Sequence, residues 1–120
     1  MYIKEVSKLY GVKEETLRYY EKIGMIPPVH RTESGIRDYS KEDLGWVENA
    51  LCMRRAGMPV SAIAEYVQLT MQGDETLKER LNLLMDQKRN LENERAQLDA
   101  MITRISGKID YFRKKMETRL

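Results

Sequence analysis

Residues 3–24, IKEVSKLYGVKEETLRYYEKIG, decide the fold. Ile3, Val6, Leu9 and Tyr10 recur at helical spacing and Gly11 supplies a stop, which predicts a short first helix. Val12, Leu17, Tyr20 and Ile23 then make the inward stripe of a second helix, closed by Gly24 and by the extended pair Pro27 and Pro28. Two short helices joined at a glycine turn are a helix-turn-helix candidate. The pattern leaves Thr16, Arg18 and Tyr19 off the inward stripe.

Upstream, MYIKEVSKLY has no apolar leader or cleavage site, and no apolar run reaches bilayer length, so a cytoplasmic protein with no membrane contact is expected. Downstream, VHRTESGIRDYS carries the turn signal Ser34-Gly35 between short alternating segments, which predicts a small hairpin, or wing. Ser40 with Asp43 has the form of an N-cap for a third helix over roughly 41–56, ended by Gly57 and Pro59. A fourth helix is expected over 60–71, ended near Gly73.

From residue 77 the period changes. Leu77, Leu81, Leu84, Lys88, Leu91, Arg95, Leu98, Ile102, Ile105, Ile109 and Phe112 alternate spacings of four and three, a heptad with two charged members. One helix of about 36 to 40 residues is predicted, roughly 55 to 60 Å long. Its stripe outruns anything a domain this small can cover, so the expected partner is the same helix of a second copy, as a coiled coil in a homodimer. The expected fold is mainly α: a winged helix-turn-helix DNA-binding domain over 1–73, then a dimerisation helix over 74–120.

The 120 residues carry 21 Lys and Arg against 19 Asp and Glu, so any nucleic-acid surface must be local rather than a bulk charge effect. Cys52 is the single cysteine and His30 the single histidine, which excludes an intrachain disulfide and argues against a metal site. No Gly-rich phosphate loop, nucleophile with a base or clustered carboxylate pair is present, so an enzyme is not expected and no cofactor is implied. A coiled-coil adaptor that binds protein instead of DNA is the competing class; an operator gel shift separates the two.

The chain as a whole resembles MerR-family transcriptional regulators. The resemblance rests on Thr16-Leu17-Arg18-Tyr19-Tyr20-Glu21, on the wing run Arg31-Thr32-Glu33-Ser34-Gly35-Ile36-Arg37-Asp38-Tyr39, on Ser40-Lys41-Glu42-Asp43-Leu44, and on the turn from Arg54 to Gly57. Lys13 and Pro59 stand where that family often has small polar N-caps, so Glu14 and Glu15 must serve the start of the second helix through its dipole. The resemblance implies a DNA surface of Thr16, Arg18, Tyr19 and Tyr20 with Arg31, Arg37 and Tyr39 of the wing and Arg54 and Arg55 beyond the third helix. Arg18 suits a phosphate or a guanine edge, and Tyr20 divides into a core ring and an outward hydroxyl. It further implies promoter DNA distorted by a dimer so that RNA polymerase engages it.

Within the family this chain looks like the short AdhR and NmlR branch, regulators without a large ligand domain and with one cysteine in the third helix, which respond to aldehydes and other thiol-reactive electrophiles. Cys52 falls outside the Leu44, Val47, Ala50, Leu51 stripe, with Arg54 and Arg55 nearby in sequence and Glu48 one turn before it. Effector sensing by Cys52 is therefore expected. The alternative is a non-thiol effector, either a small ligand or a partner protein, with Cys52 a small apolar residue packed under the partner's helix.

Overall fold

The computed structural model describes residues 1–119. Five α-helices follow one another: α1 (Ile3–Tyr10), α2 (Glu14–Lys22), α3 (Lys41–Arg55), α4 (Val60–Met71) and α5 (Leu77–Thr118), with a single 3-10 turn over Asp74–Thr76 before the last. Two compact units divide this chain, Met1–Leu84 and Met85–Leu120. No helix among the described residues is long and apolar enough to cross a membrane.

The first unit is organised by its turns. Gly11 takes the left-handed conformation at φ 64° and ends α1, and its N–H returns to the Ser7 carbonyl. Lys13 starts α2 without any side-chain cap, and Glu14 and Glu15 stand in the first turn with Lys22 in the last, aligned with the helix dipole. At the far end of α2, Gly24 (φ 82°) turns the chain back so that Met25 N–H reaches the Tyr20 carbonyl at 2.9 Å. That reversal sends Met25 and Ile26 into the core, both essentially without exposure. The third helix begins at a reciprocal capping box: Ser40 Oγ accepts from Asp43 N–H at 3.1 Å, and Asp43 Oδ2 accepts from Ser40 N–H at 2.9 Å. Pro59 (φ −59°) is the N-cap of α4, where its missing N–H costs nothing.

The core gathers Val6 from α1, Leu17 and Tyr20 from α2, Met25, Ile26 and Val29 from the following segment, Tyr39 from the end of the wing, Val47 and Ala50 from α3, Met58, and Ile63 from α4. Leu83, in the second turn of α5, packs against this cluster. The start of α5 is tied down as well, since Arg80 donates to the Gly73 carbonyl at 3.0 Å and to Thr76 Oγ1 at 3.1 Å. These contacts carry the first compact unit through Leu84. Leu9, expected on the inward face of α1, is instead 58% exposed. A helix of eight residues turns only one stripe to the core, and Val6 occupies it.

The wing is smaller than a hairpin of named strands. Arg31 pairs with Arg37 and Tyr2 with Asp38 in two isolated antiparallel bridges. Between them Gly35 (φ 87°) closes the turn, donating to the Thr32 carbonyl at 2.9 Å while Thr32 N–H meets the Ile36 carbonyl at 2.8 Å.

In the second unit α5 continues as an unbroken helix through Gly107 to Thr118, giving α5 42 residues, about 63 Å at 1.5 Å per residue. Among the described residues of α5 none is buried, and Leu91, Leu98, Ile102, Ile105, Ile109 and Phe112 all lie exposed along it. Leu77, Leu81 and Leu84, at the head of the same stripe, are exposed too.

Candidate functional site

Helix α2 sorts its residues by angle. Leu17 and the Tyr20 ring go to the core, while Arg18 and Tyr19 stand about half exposed on the opposite side and Thr16 is intermediate. Arg18 is kept near the helix surface by Glu14 one turn earlier, at 3.6 Å. An ion pair so exposed yields readily to a stronger anion such as phosphate. Arg18 and Tyr19 thus offer a cation and a phenol from one short helix.

Glu21 follows on the same helix, and it organises the wing. Its Oε1 accepts from Arg37 Nε at 2.7 Å and its Oε2 accepts from Val29 N–H at 2.9 Å. Arg31 lies at 4.0 Å from the same carboxylate and donates to the Gly35 carbonyl at 2.9 Å. One carboxylate therefore fixes the base of the wing to α2 and leaves Arg31 half exposed beside it. Arg37 is mainly occupied inside the protein, at 24% exposure. Sequence reasoning had no signal for Glu21 as the hub, because its partners lie 8 and 16 positions away.

Tyr39 corrects the expectation of a wing phenol facing DNA. It is 2% exposed, and its hydroxyl is buried without a hydrogen-bond partner. The wing is too short to hold both of its arms away from the body, so its last residue enters the core as the chain approaches α3. Burial pushes the Tyr39 phenol above its ordinary pKa, so it stays neutral.

Beside it, His30 joins the wing to α3. Its N–H and its Nδ1 both meet Asp43 Oδ2, at 3.1 and 2.9 Å. The hydrogen bond and the charge of Asp43 raise the imidazole above 6.5. For Asp43, burial works to raise the carboxyl, but hydrogen bonds from Ser40 and His30 outweigh it and hold the group below 3.8.

Arg54 and Arg55 part ways at the end of α3. Arg54 donates to the Met58 carbonyl at 2.9 Å, closing the turn into α4. Arg55 instead lines an open pocket of about 290 Å³ with Tyr10, Glu48, Leu51 and Cys52. Cys52 is exposed there. No group of three or more metal-ligating side chains occurs among the described residues.

The family model for the MerR HTH family regulatory protein matches residues 1–70. The HTH-type transcriptional regulator AdhR of Bacillus subtilis is 48% identical over 91 residues, which span 76% of this chain and 65% of AdhR, just under two thirds of its length. The crystal structure of a MerR family transcriptional regulator from Listeria monocytogenes superposes with a TM-score of 0.88 at 42% identity, covering 93% of this chain and 85% of that one. HiNmlR, a MerR family regulator lacking the sensor domain and solved bound to promoter DNA, superposes with a TM-score of 0.82 at 30% identity, covering 94% and 90%. A helix-turn-helix with its wing clamped to α2, in a chain this similar to known regulators, is no enzyme: the protein belongs to the MerR family of DNA-binding transcriptional regulators.

Proposed function

We propose that this regulator acts as a homodimer on promoter DNA, where RNA polymerase engages the distorted promoter, and that aldehydes switch it through Cys52. The DNA surface in this reading consists of Thr16, Arg18 and Tyr19 of α2, the exposed side of Arg31, and the unpaired donors of Arg37 and Arg54. Each supplies a cation or hydroxyl at the height of the sugar–phosphate backbone when α2 enters the major groove. HiNmlR, solved on promoter DNA, supports this mode. The uncovered stripe of α5 supports the dimer, since nine large apolar side chains in one line are tolerated in water only when paired.

One observation carries the sensing half: the chain's single cysteine is exposed in a formed pocket between α1 and α3, and the pocket includes a cation, Arg55. The identity to AdhR supports the same reading. The test uses genomic promoter fragments selected by the purified protein and placed before a reporter. Cys52→Ser is expected to bind these fragments like the parent and to lose induction by formaldehyde. An undiminished response in this variant refutes thiol sensing and favours a non-thiol effector.

A further inference from the structure

The Cys52 pocket holds a hydrogen bond for which DNA binding has no use. Tyr10 ends α1 and Glu48 lies midway along α3; the Tyr10 hydroxyl donates to Glu48 Oε1 at 2.7 Å across 38 positions of sequence. Burial, with the Glu48 carboxylate beside it, pushes this phenol up to about 12, so it remains a donor at neutral pH. Cys52 follows Glu48 by one helical turn, and the two line the same pocket with Tyr10.

We propose that Tyr10 and Glu48 form the latch through which an aldehyde adduct on Cys52 reaches α1: the adduct's hydroxyl takes the Glu48 carboxylate and releases Tyr10. The inference rests on the aldehyde reading of Cys52 given above. In the covalent step the Cys52 sulfur forms a bond to the carbonyl carbon. The π pair of the C=O bond moves to oxygen, and oxygen takes the proton that the thiol gives up. A hemithioacetal results with no oxidant or reductant consumed.

This exchange changes the hydrogen-bonding inventory of the pocket. A thiol is a weak donor, whereas the hemithioacetal hydroxyl is a full one, placed one turn from Glu48 where side chains meet. Glu48 has acceptor sites enough for both hydroxyls, but meeting the donor one turn along its own helix turns its carboxylate away from Tyr10. Released, Tyr10 no longer ties the end of α1 to α3. Because α1 packs on α2, the loosened contact bears on the helix that carries Arg18 and Tyr19.

The test follows Tyr10 in the intact protein by NMR of tyrosine labelled at the ring carbon bearing the hydroxyl, with the resonance assigned by its loss in Tyr10→Phe. Formaldehyde is expected to move this resonance to its position in Glu48→Ala, and to leave it unmoved in Cys52→Ser. Methyl methanethiosulfonate, which caps Cys52 as a methyl disulfide lacking a hydroxyl, is expected to leave it in place. In reporter cells Tyr10→Phe is expected to raise uninduced transcription roughly two- to tenfold, the population shift for one lost hydrogen bond.

A stationary Tyr10 resonance in protein whose Cys52 is shown by mass spectrometry to carry the formaldehyde adduct overturns the latch and spares the thiol switch. An equal shift under the methyl cap, or an uninduced level unchanged in Tyr10→Phe, overturns it too. Absence of any Cys52 adduct sinks the aldehyde reading, and the latch with it.

Discussion

Replacing Glu21 by alanine tests the idea that one carboxylate holds the wing. The side chain is 12% exposed, and two groups depend on it within hydrogen-bond range. Val29 is 6% exposed, so its N–H loses its acceptor where water has little access, at a cost of about 1–3 kcal/mol. Arg37 loses a charge-assisted bond, discounted to about 1 kcal/mol because the guanidinium keeps some contact with solvent. The expected loss is about 3 kcal/mol, or roughly 12–24 °C in Tm for a unit of this size. Glu21→Gln keeps an amide oxygen for Val29 N–H and is expected to lose only about 1 kcal/mol. Urea unfolding at fixed chain concentration measures both, fixed because association shifts apparent stability. Equal losses in the two variants, or a loss below about 0.5 kcal/mol in Glu21→Ala, refute the clamp.

Further outcomes follow from the same geometry. Arg18→Ala is expected to reduce the slope of log affinity against log salt by about one unit on a selected promoter fragment; an unchanged slope removes Arg18 from the phosphate contacts. With its folded pKa raised, the His30–Asp43 pair contributes stability that is present in full below pH 6.5 and fades as pH rises through the folded value. Asp43, with its pKa lowered, contributes stability present above 3.8 and lost as pH falls through its folded value. His30→Gln is accordingly expected to flatten the urea midpoint on the alkaline side and to reduce the acid limb, because the imidazole is one of the groups that lower Asp43. Leu98→Lys, within the uncovered stripe of α5, is expected to sediment as the 14.1 kDa single chain where the parent sediments at twice that mass.

Helices α1 to α4 were legible because each is bounded by a local signal: Gly11, Gly24, the Ser40–Asp43 box and Pro59 all act within a few residues. The stripe of α5 was equally legible, since a heptad needs no tertiary information. What spacing does not give is the order in which elements meet. Met25, Ile26 and Met58 sit outside any helical stripe, yet they are among the most buried side chains. Turns bring them in, and a turn's sequence does not say which way its apolar residue points. The same gap explains Tyr39, placed on the DNA surface by the family resemblance but carried inward by a short wing. Glu21 with Arg37, His30 with Asp43 and Tyr10 with Glu48 are joined across 16, 13 and 38 positions, distances over which no periodicity operates.

The arrangement of α2 also bears on how this regulator can be altered. Residues that hold the wing and core, namely Leu17, Tyr20 and Glu21, alternate along one helix with those turned outward, Arg18 and Tyr19. Of the outward set, Arg18 makes one loose ion pair, with Glu14 a turn earlier on the same helix. On the DNA surface proposed above, operator preference is expected to be open to redesign at positions 18 and 19, while the Glu21 contacts that hold the wing are kept. A library confined to those two positions is expected to vary operator preference with the Glu21 clamp left in place.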